Sequence, residues 1–285
     1  MTHIETFYDP RTFTLTYVVS DPETRDAVII DPVLDFDPLT VSVSQTAVDA
    51  VMAYVDRERL ELRGILETHA HADHLSSAPL LRDRYEAPVA IGRHITDVQE
   101  VFRDVFNQSF ATDGSQFDVL LEDEQLWAAG SLQVRALHTP GHTPACMSYV
   151  IGRAVFTGDA LFMPDFGVGR CDFPKGSAEQ LYRSITTKLY TLPDDTEVYV
   201  GHDYQPGGRP LAYRTTVGEE KTGNVQLPEG RAAADFVRFR TERDAALAPP
   251  ALLFPAVQVN VNGGQLPEPE SNGRRYLKLP VNLFG

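Results

Sequence analysis

Eight short apolar segments are the feature of this sequence that most restricts its fold. They read TLTYVVS, AVIID, RGILETH, APVAI, LQVRALH, CMSYVIG, AVFTGD and TEVYVGH. Apolar runs of this length predict strands, and the most continuous of them are typical of strands buried on both faces of a sheet. Helical patterns lie between them: Val48, Val51, Met52 and Val55 recur at helical spacing, and SAEQLYRSITTKLY opens with Ser177 and Gln180 as a capping box. The alternation predicts an α/β fold.

Length and charge narrow the classes of protein to consider. The chain has 285 residues, of which 42% are hydrophobic and 23% charged, which is ordinary for a folded globular protein. A formal net charge of -15 disfavours nucleic acid as a partner. The N-terminal MTHIETFYDP lacks a secretory signal pattern, and no apolar run reaches the roughly 20 residues that span a bilayer. We therefore expect a cytoplasmic protein with no membrane partner.

The chain divides by composition near residue 230. Residues 1–230 carry the strand and helix pattern and are predicted to form the catalytic domain. Residues 231–285 begin with a charged helical run to about Ala246 and continue into APPALLFPAVQVN and GGQLPEPESNG, whose prolines and glycines predict an extended tail packed on the same domain. The two cysteines, Cys146 and Cys171, lack C-x-x-C spacing and are expected to be buried, reduced and inert.

The stretch ETHAHADH contains three of the eight histidines of the chain. It follows the predicted strand RGILE, so its side chains stand where a buried strand ends, a common place for active sites in α/β folds. In extended chain His69 and His71 point to the same side, where one ion can contact both. Asp73 and His74 follow, before the predicted helix in LSSAPLLRDRY.

Three further strand ends carry the same residue types. His138 and His142 flank a Pro-Gly turn, Asp159 follows AVFTG, and His202 precedes Asp203 after TEVYVG. Buried imidazoles and carboxylates need partners, and a metal ion satisfies several at once. The predicted metal-site residues are His69, His71, Asp73, His74, His142, Asp159 and His202. His138 is either an orienting partner of a ligand or an ordinary strand-end histidine, and His3 and His94 are expected to be ordinary.

The motifs H-x-H-x-D-H, G-H-T, T-G-D and G-H-D, in this order, resemble those of the metallo-β-lactamase superfamily from about Thr14 to His202. The resemblance implies a four-layer αβ/βα sandwich of two mixed sheets flanked by helices, with a metal site at one edge. True β-lactamases usually have arginine and cysteine where His74 and Asp159 stand, and flavodiiron proteins have glutamate where His71 stands. Glyoxalase II thioesterases and persulfide dioxygenases remain. RCDF, GHDY and TTVGEEKTGN are more similar to the second group.

Likeness to the persulfide dioxygenases implies one Fe(II) held by His69, His142 and Asp159, an arrangement with open positions for oxygen and substrate. His71, Asp73, His74 and His202 would then support the ligands through hydrogen bonds. The implied reaction oxidises glutathione persulfide with O2 to sulfite and glutathione. The implied residues for binding glutathione are Arg170, Tyr204, Lys221 and Asn224.

Two other functions stay open at this point. A glyoxalase II-type thioesterase would use the same seven residues to hold one or two Zn(II), with Asp159 bridging a pair. A non-catalytic metal-binding protein would keep the site for sensing or docking. The ligand types alone do not choose the metal, because imidazole suits zinc and iron alike. An assembly of identical subunits also stays open.

Overall fold

The computed structural model describes residues 2–283. The first half of the chain contains β1 (His3–Asp9), β2 (Thr14–Ser20), β3 (Asp26–Ile30), β4 (Val33–Asp37), β5 (Ser42–Ser44), α1 (Thr46–Glu58), β6 (Glu61–Leu66), β7 (Leu75–Ser76), α2 (Ala78–Tyr85), β8 (Val89–Gly92), α3 (Ile95–Phe106), β9 (Val119–Leu121) and β10 (Leu126–Ala129). The second half contains β11 (Leu132–His138), β12 (Met147–Ile151), β13 (Ala154–Phe156), α4 (Ala178–Thr187), β14 (Glu197–Tyr199), β15 (Arg214–Thr216), α5 (Val217–Gly223), α6 (Ala233–Asp244) and α7 (Leu253–Asn260).

Two six-stranded mixed sheets form the centre of the molecule. The first has the order β1-β2-β3-β6-β8-β9, antiparallel as far as β3 and parallel from there on. The second has the order β10-β11-β12-β13-β14-β15, in which only β13 and β14 run parallel. A small sheet of β5, β4 and β7 lies beside the start of α2. All eight predicted strands are present.

The two faces of the first sheet pack against different parts of the protein, one against the second sheet and the other against helices. In β2, Leu15, Tyr17 and Val19 pack in a cluster with the second sheet, whereas Val18 belongs to a cluster with α1, α3 and α7. The inner cluster includes Tyr149 and Phe156 of the second sheet and extends to α4 and α6. This is the predicted sandwich of mixed sheets flanked by helices, and burial on both faces explains the continuous apolar runs.

The predicted helices are present with small shifts at their ends. α1 covers the Val48–Val55 pattern, α2 follows the histidine motif, and α6 covers the charged run after Arg231. Ser177 caps α4 by accepting a hydrogen bond from the Gln180 amide at 3.2 Å, as the capping residue requires. Within residues 2–283, none of the helices combines the length and apolar character needed to cross a bilayer.

The prediction of extended chain after Ala246 is wrong in one part, because α7 lies within it. Proline within this stretch predicts extended chain, but Pro255 is the third residue of α7. A backbone N–H in the first turn has no partner inside the helix, so proline is tolerated there. Burial of the side chains of Leu253, Ala256 and Val257 against the rest of the protein stabilises α7. The division of the chain at residue 230 stays a prediction. Residues 1, 284 and 285, which belong to the predicted ranges, lie outside the described residues.

Candidate metal centre

The strand ends bring the predicted metal-site residues together. β6 ends at Leu66, and the irregular chain that follows carries His69, His71, Asp73 and His74. The turn between β11 and β12 supplies His142, and the segments after β13 and β14 supply Asp159 and His202. Because β6 lies in one sheet and the other three sources in the second, the residues meet where the two sheets end side by side. All of these except Asp73 are buried.

Close approach of neighbouring segments requires glycine at two positions near the cluster, Gly158 directly after β13 and Gly169 in the loop before α4. Gly158 has a φ of +50°, and a Cβ there would lie 2.6 Å from Thr68 Oγ1. A Cβ on Gly169 would collide with the carbonyl oxygen of Asp159. Gly158 therefore allows the loops of the two sheets to pack against one another, and Gly169 allows its loop to pass close to Asp159.

His69, His142 and Asp159 form one grouping of possible ligand atoms. One ligand atom of each lies within 4.8 Å of the other two. His142 Nε2 is 3.5 Å from Asp159 Oδ2, and the rings of His69 and His142 are 5.0 Å apart at their centroids. Two imidazoles and one carboxylate at these separations can share a single ion.

A second grouping contains His71, Asp73 and His202, within the same 4.8 Å limit. His202 Nε2 lies 3.4 Å from Asp73 Oδ2 and 3.3 Å from Asp159 Oδ1, so this residue joins the two groupings. The ring of His74 is 4.2 Å from that of His71. The seven predicted residues thus form one continuous cluster with two places where ligand atoms converge.

Unpartnered atoms indicate that the cluster suits a metal. His69 Nε2, His74 Nε2, His202 Nε2 and Asp159 Oδ1 are buried and have no hydrogen-bond partner within the described chain. Leaving buried polar atoms unpaired costs about 1–3 kcal/mol each, and several such atoms on one cluster need a common partner. Imidazole nitrogen and carboxylate oxygen are suitable donors for a divalent transition metal.

In three of these histidines the second ring nitrogen, Nδ1, contacts an oxygen atom of the protein. His142 Nδ1 lies 2.7 Å from the Arg170 carbonyl oxygen, and His74 Nδ1 lies 3.0 Å from the Leu75 carbonyl oxygen. His69 Nδ1 is 3.0 Å from Thr68 Oγ1. Such contacts fix the tautomer with the proton on Nδ1 when the partner accepts, which leaves Nε2 as the ligand atom.

Burial sets the charge of two rings. It lowers the pKa of His69 well below its usual value, and the charge of His71 adds to the shift. Burial also lowers the pKa of His74 to about 4, again with His71 adding to it. Neutral imidazole is the form that binds a metal, so these two rings are ready to do so at neutral pH.

His71 lies against two buried carboxylates. Its Nε2 is 3.1 Å from Asp31 Oδ1 and 3.6 Å from Glu67 Oε2. Burial, the largest single effect, disfavours the charged ring, but the charge and contact of Asp31 together with the charges of Glu67 and Asp73 outweigh it and raise the pKa of His71 to about 10. Burial raises the pKa of Glu67 to about 8, and the charge of Asp31 adds to the shift. Sequence reasoning missed Asp31 and Glu67, although Asp31 follows an apolar strand as Asp159 does.

Two adjoining cavities open beside the cluster. One, of about 300 Å³, is lined by Asp73, His142 and Asp159 together with Arg11, Phe13 and Tyr204. The other, of about 310 Å³, is mainly apolar, with Phe173, Leu247 and Leu253 in its wall. His142, Arg170, Ala72 and Pro250 line both. Sequence reasoning missed Arg11, and it did not identify which residues of the C-terminal tail form the wall at 247–253, because these residues carry no motif.

The four predicted substrate-binding residues fall in different surroundings. Arg170 lines both cavities, but its guanidinium donates two hydrogen bonds of 2.6 Å to Asp172 and one of 2.9 Å to the Ala248 carbonyl. Tyr204 lines the first cavity and lies over Phe166, with ring centroids 4.8 Å apart. Among the described residues that line the two cavities, Lys221 and Asn224 are absent.

Lys221 and Asn224 make contacts elsewhere. Lys221 Nζ donates to Asp194 at 2.6 Å. The buried amide of Asn224 donates to Glu220 and the Gly167 carbonyl and accepts from the backbone of Gln226. The side-chain contacts of Asn224 within the described residues thus connect α5 to neighbouring backbone, as those of a structural residue do.

The remaining histidines and the cysteines lie apart from the ligand groupings. His138 Nε2 is 2.8 Å from the Pro144 carbonyl oxygen, and its ring stacks on that of His94 at 4.4 Å, contacts that favour the ordinary strand-end histidine of the two alternatives. His3 pairs with Glu5 at 3.8 Å. Cys146 and Cys171 are both buried, as expected, and burial raises the pKa of the Cys146 thiol to about 12.

Comparison with known proteins agrees with this fold. The sequence profile of the metallo-beta-lactamase superfamily matches residues 9–202, which contain all seven predicted metal-site residues. The chain belongs to the metallo-beta-lactamase superfamily.

Several relatives cover most of the chain. A probable metallo-hydrolase of Burkholderia pseudomallei is 50% identical, with 99% of each chain covered. A beta-lactamase hydrolase-like protein of Agrobacterium fabrum is 49% identical over 99% of this chain, which spans 65% of that protein's length. The mitochondrial persulfide dioxygenase ETHE1 of Homo sapiens is 32% identical, with 77% of this chain and 74% of the human protein covered.

Among solved structures, ETHE1 from Myxococcus xanthus superposes with a TM-score of 0.75 at 34% sequence identity. The match covers 92% of this chain and 100% of that structure. The similarity therefore extends beyond the strand-end motifs to most of the fold.

Proposed function

We propose that this protein is an iron(II)-dependent persulfide dioxygenase that oxidises glutathione persulfide with O2 to sulfite and glutathione. The observation that carries the proposal is the mutual approach, within 4.8 Å, of His69, His142 and Asp159. Two histidines and one carboxylate are the ligand set of non-haem iron oxygenases, and they leave positions free for other ligands. The similarity to the human persulfide dioxygenase supports the assignment.

His69, His142 and Asp159 would hold the iron, which supplies open positions for O2 and a soft sulfur when bound. The contacts of Thr68 with His69 and of the Arg170 carbonyl with His142 keep the two rings aimed at the centre. His202, between Asp73 and Asp159, would hold the second oxygen of the Asp159 carboxylate. His71, Asp73 and His74 would then orient the ligands and exclude solvent water from the metal.

The cavities suit a thiol-derived substrate with both apolar and anionic parts. Arg11 and Arg170 bring two guanidinium groups to a chain with a net charge of -15. Both are neutralised by aspartates, Arg11 by Asp35 and Arg170 by Asp172, so a substrate carboxylate would meet oriented donors with reduced net charge. The wall at residues 247–253 would cover the carbon skeleton.

Metal content and two activities, measured on the same preparation, test this function. Protein purified without oxygen should contain about one iron per chain and should consume O2 when glutathione persulfide is added. It should hydrolyse S-lactoylglutathione slowly or not at all. Zinc content with hydrolysis alone would contradict the proposal.

A dinuclear zinc thioesterase of the glyoxalase II type is the second candidate. The observation that favours it is the further grouping of His71, Asp73 and His202, which offers ligand atoms for a second ion. The name of the Burkholderia relative, a probable metallo-hydrolase, points the same way. Two zinc ions per chain with thioester hydrolysis would establish this function in place of the first.

A further inference from the structure

Asn260, at the end of α7, contacts the backbone of the histidine motif. Its Nδ2 donates to the carbonyl oxygens of His71 at 2.9 Å and His74 at 2.7 Å. Its Oδ1 accepts from the backbone amide of Ser76 at 2.9 Å. These three contacts span the segment that carries Asp73, and the partners are 184–189 residues apart in the chain.

The amide is well suited to hold that segment. The chain from Glu67 to His74 has no helix or strand of its own, so its backbone groups need partners from elsewhere. Asn260 is 4% exposed, and its side chain uses both donors and its acceptor on this one loop. Hydrogen bonds in such a buried setting are costly to lose, because their partners are left unpaired.

The helix that carries Asn260 is anchored on the body of the protein. Val257 and Leu253 pack in the cluster with α1 and α3, and Ala256 and Val259 pack with Leu34 and Leu75. Gln99 Nε2 donates to the Val261 carbonyl at 2.9 Å. The residues before the helix, Pro250 to Leu252, line the cavity beside Asp159. α7 is therefore a fixed support between the core and the loop.

We propose that Asn260 is a positioning residue for the metal centre. It acts through the carbonyl groups of His71 and His74, which it holds so that the side chains of the motif converge on His142 and Asp159. The inference requires a metal in the cluster but is independent of which reaction that metal supports. It also gives a role to the C-terminal segment, for which the sequence motifs suggest none.

Cobalt(II) binding tests the proposal without iron, O2 or persulfide. In Asn260→Asp the side chain keeps its size but loses both donors, so we expect Co²⁺ affinity to fall about 10-fold or more, with an altered visible absorption spectrum. Asn260→Ser, whose hydroxyl is too short to reach the two carbonyl oxygens, should also lose affinity, and it does so without adding a negative charge. The readouts are competition of Co²⁺ with a chelator and the spectrum of the bound ion.

Gln258 provides the matched control on the same helix. It is equally buried and makes three hydrogen bonds, to the carbonyls of Phe254 and Lys278 and from the amide of Lys278. Gln258→Glu and Asn260→Asp should both lower the melting temperature of the metal-free protein, but Gln258→Glu should bind Co²⁺ within about twofold of the natural protein.

Unchanged Co²⁺ affinity in both Asn260 variants would overturn the proposal, and so would an equal loss in Gln258→Glu. If Asn260→Asp does not fold, the Asn260→Ser variant decides by the same measurement. A protein that binds Co²⁺ as expected but lacks dioxygenase activity would contradict the proposed function and leave the role of Asn260 intact.

Discussion

His142 Nδ1 lies 2.7 Å from the carbonyl oxygen of Arg170, so a proposed metal ligand is oriented by the backbone of a residue whose side chain lines the cavity. The segment that includes Arg170 is held in turn by α6, where Asp244 accepts from the Cys171 amide at 2.8 Å. Ligand orientation and the cavity wall thus depend on one loop, and substitutions can separate the two roles.

Replacing the Arg170 side chain should weaken substrate binding without releasing the metal. In Arg170→Met the carbonyl that contacts His142 remains, but the guanidinium is lost, so we expect KM for glutathione persulfide to rise about 10-fold, the value of one charged hydrogen bond. Iron content should stay the same. Lys221→Met is the control, because Lys221 pairs with Asp194 and lies outside both cavities. An equal rise in KM for Lys221→Met would contradict this assignment.

Removing the imidazole of His202 should distinguish a centre with one metal from a centre with two. If His69, His142 and Asp159 hold a single iron, His202→Ala should keep about one iron per chain. A dinuclear enzyme should lose its second ion and fall from two metals to one. Elemental analysis of protein purified without oxygen measures the difference. Asp159→Ala is the companion variant, since it should lose metal under either function.

The ion pair of Arg240 and Asp244 should be important for stability. Both side chains are buried, and Arg240 also donates to the Val168 carbonyl and to Gln226. Asp244→Asn leaves the guanidinium buried without its counter-charge. We therefore expect the free energy of unfolding, measured by urea denaturation, to fall by about 3–5 kcal/mol. Asp235→Asn removes an exposed pair with Arg238 on the same helix and should cost less than about 1 kcal/mol. Equal losses in the two variants would contradict the expected difference.

Glu220 should make stability depend on pH at a distance from the metal cluster. Its carboxyl is buried, one oxygen has no partner, and burial raises its pKa to about 8 from an ordinary value of 4.5. Below about pH 4.5 the group is protonated in both folded and unfolded chains. Between that pH and 8 only the unfolded chain releases the proton, so stability falls as pH rises, by up to about 1.4 kcal/mol per pH unit.

Glu220→Gln should remove this dependence, since the amide has no proton to release in that range. The difference in free energy of unfolding between the variant and the natural protein should therefore grow from pH 5 to pH 8 in favour of the variant. Glu242→Gln, at an exposed position of α6, serves as the control and should follow the natural protein. Parallel curves for all three proteins would show that Glu220 ionises normally.

Local patterns were enough for most of the fold. The predicted strands and helix α1 are present because their apolar periodicity matches the faces they bury, and the predicted helices α2, α4 and α6 are present as well. α7 was predicted as extended chain because Pro255 masks a helix that packing stabilises. The short strands β5, β7 and β15 carry no pattern long enough to recognise.

The sequence by itself determined the types of ligand and their places at strand ends, because a motif such as H-x-H-x-D-H is local and a strand end is where a buried chain reaches a site. Tertiary structure alone decided which groups surround those ligands. Asp31 contacts His71 across 40 positions, Asn260 contacts the same residue's carbonyl across 189, and Lys221 lies away from the cavities. Such contacts follow from how sheets and helices pack, and no spacing of neighbouring residues encodes them.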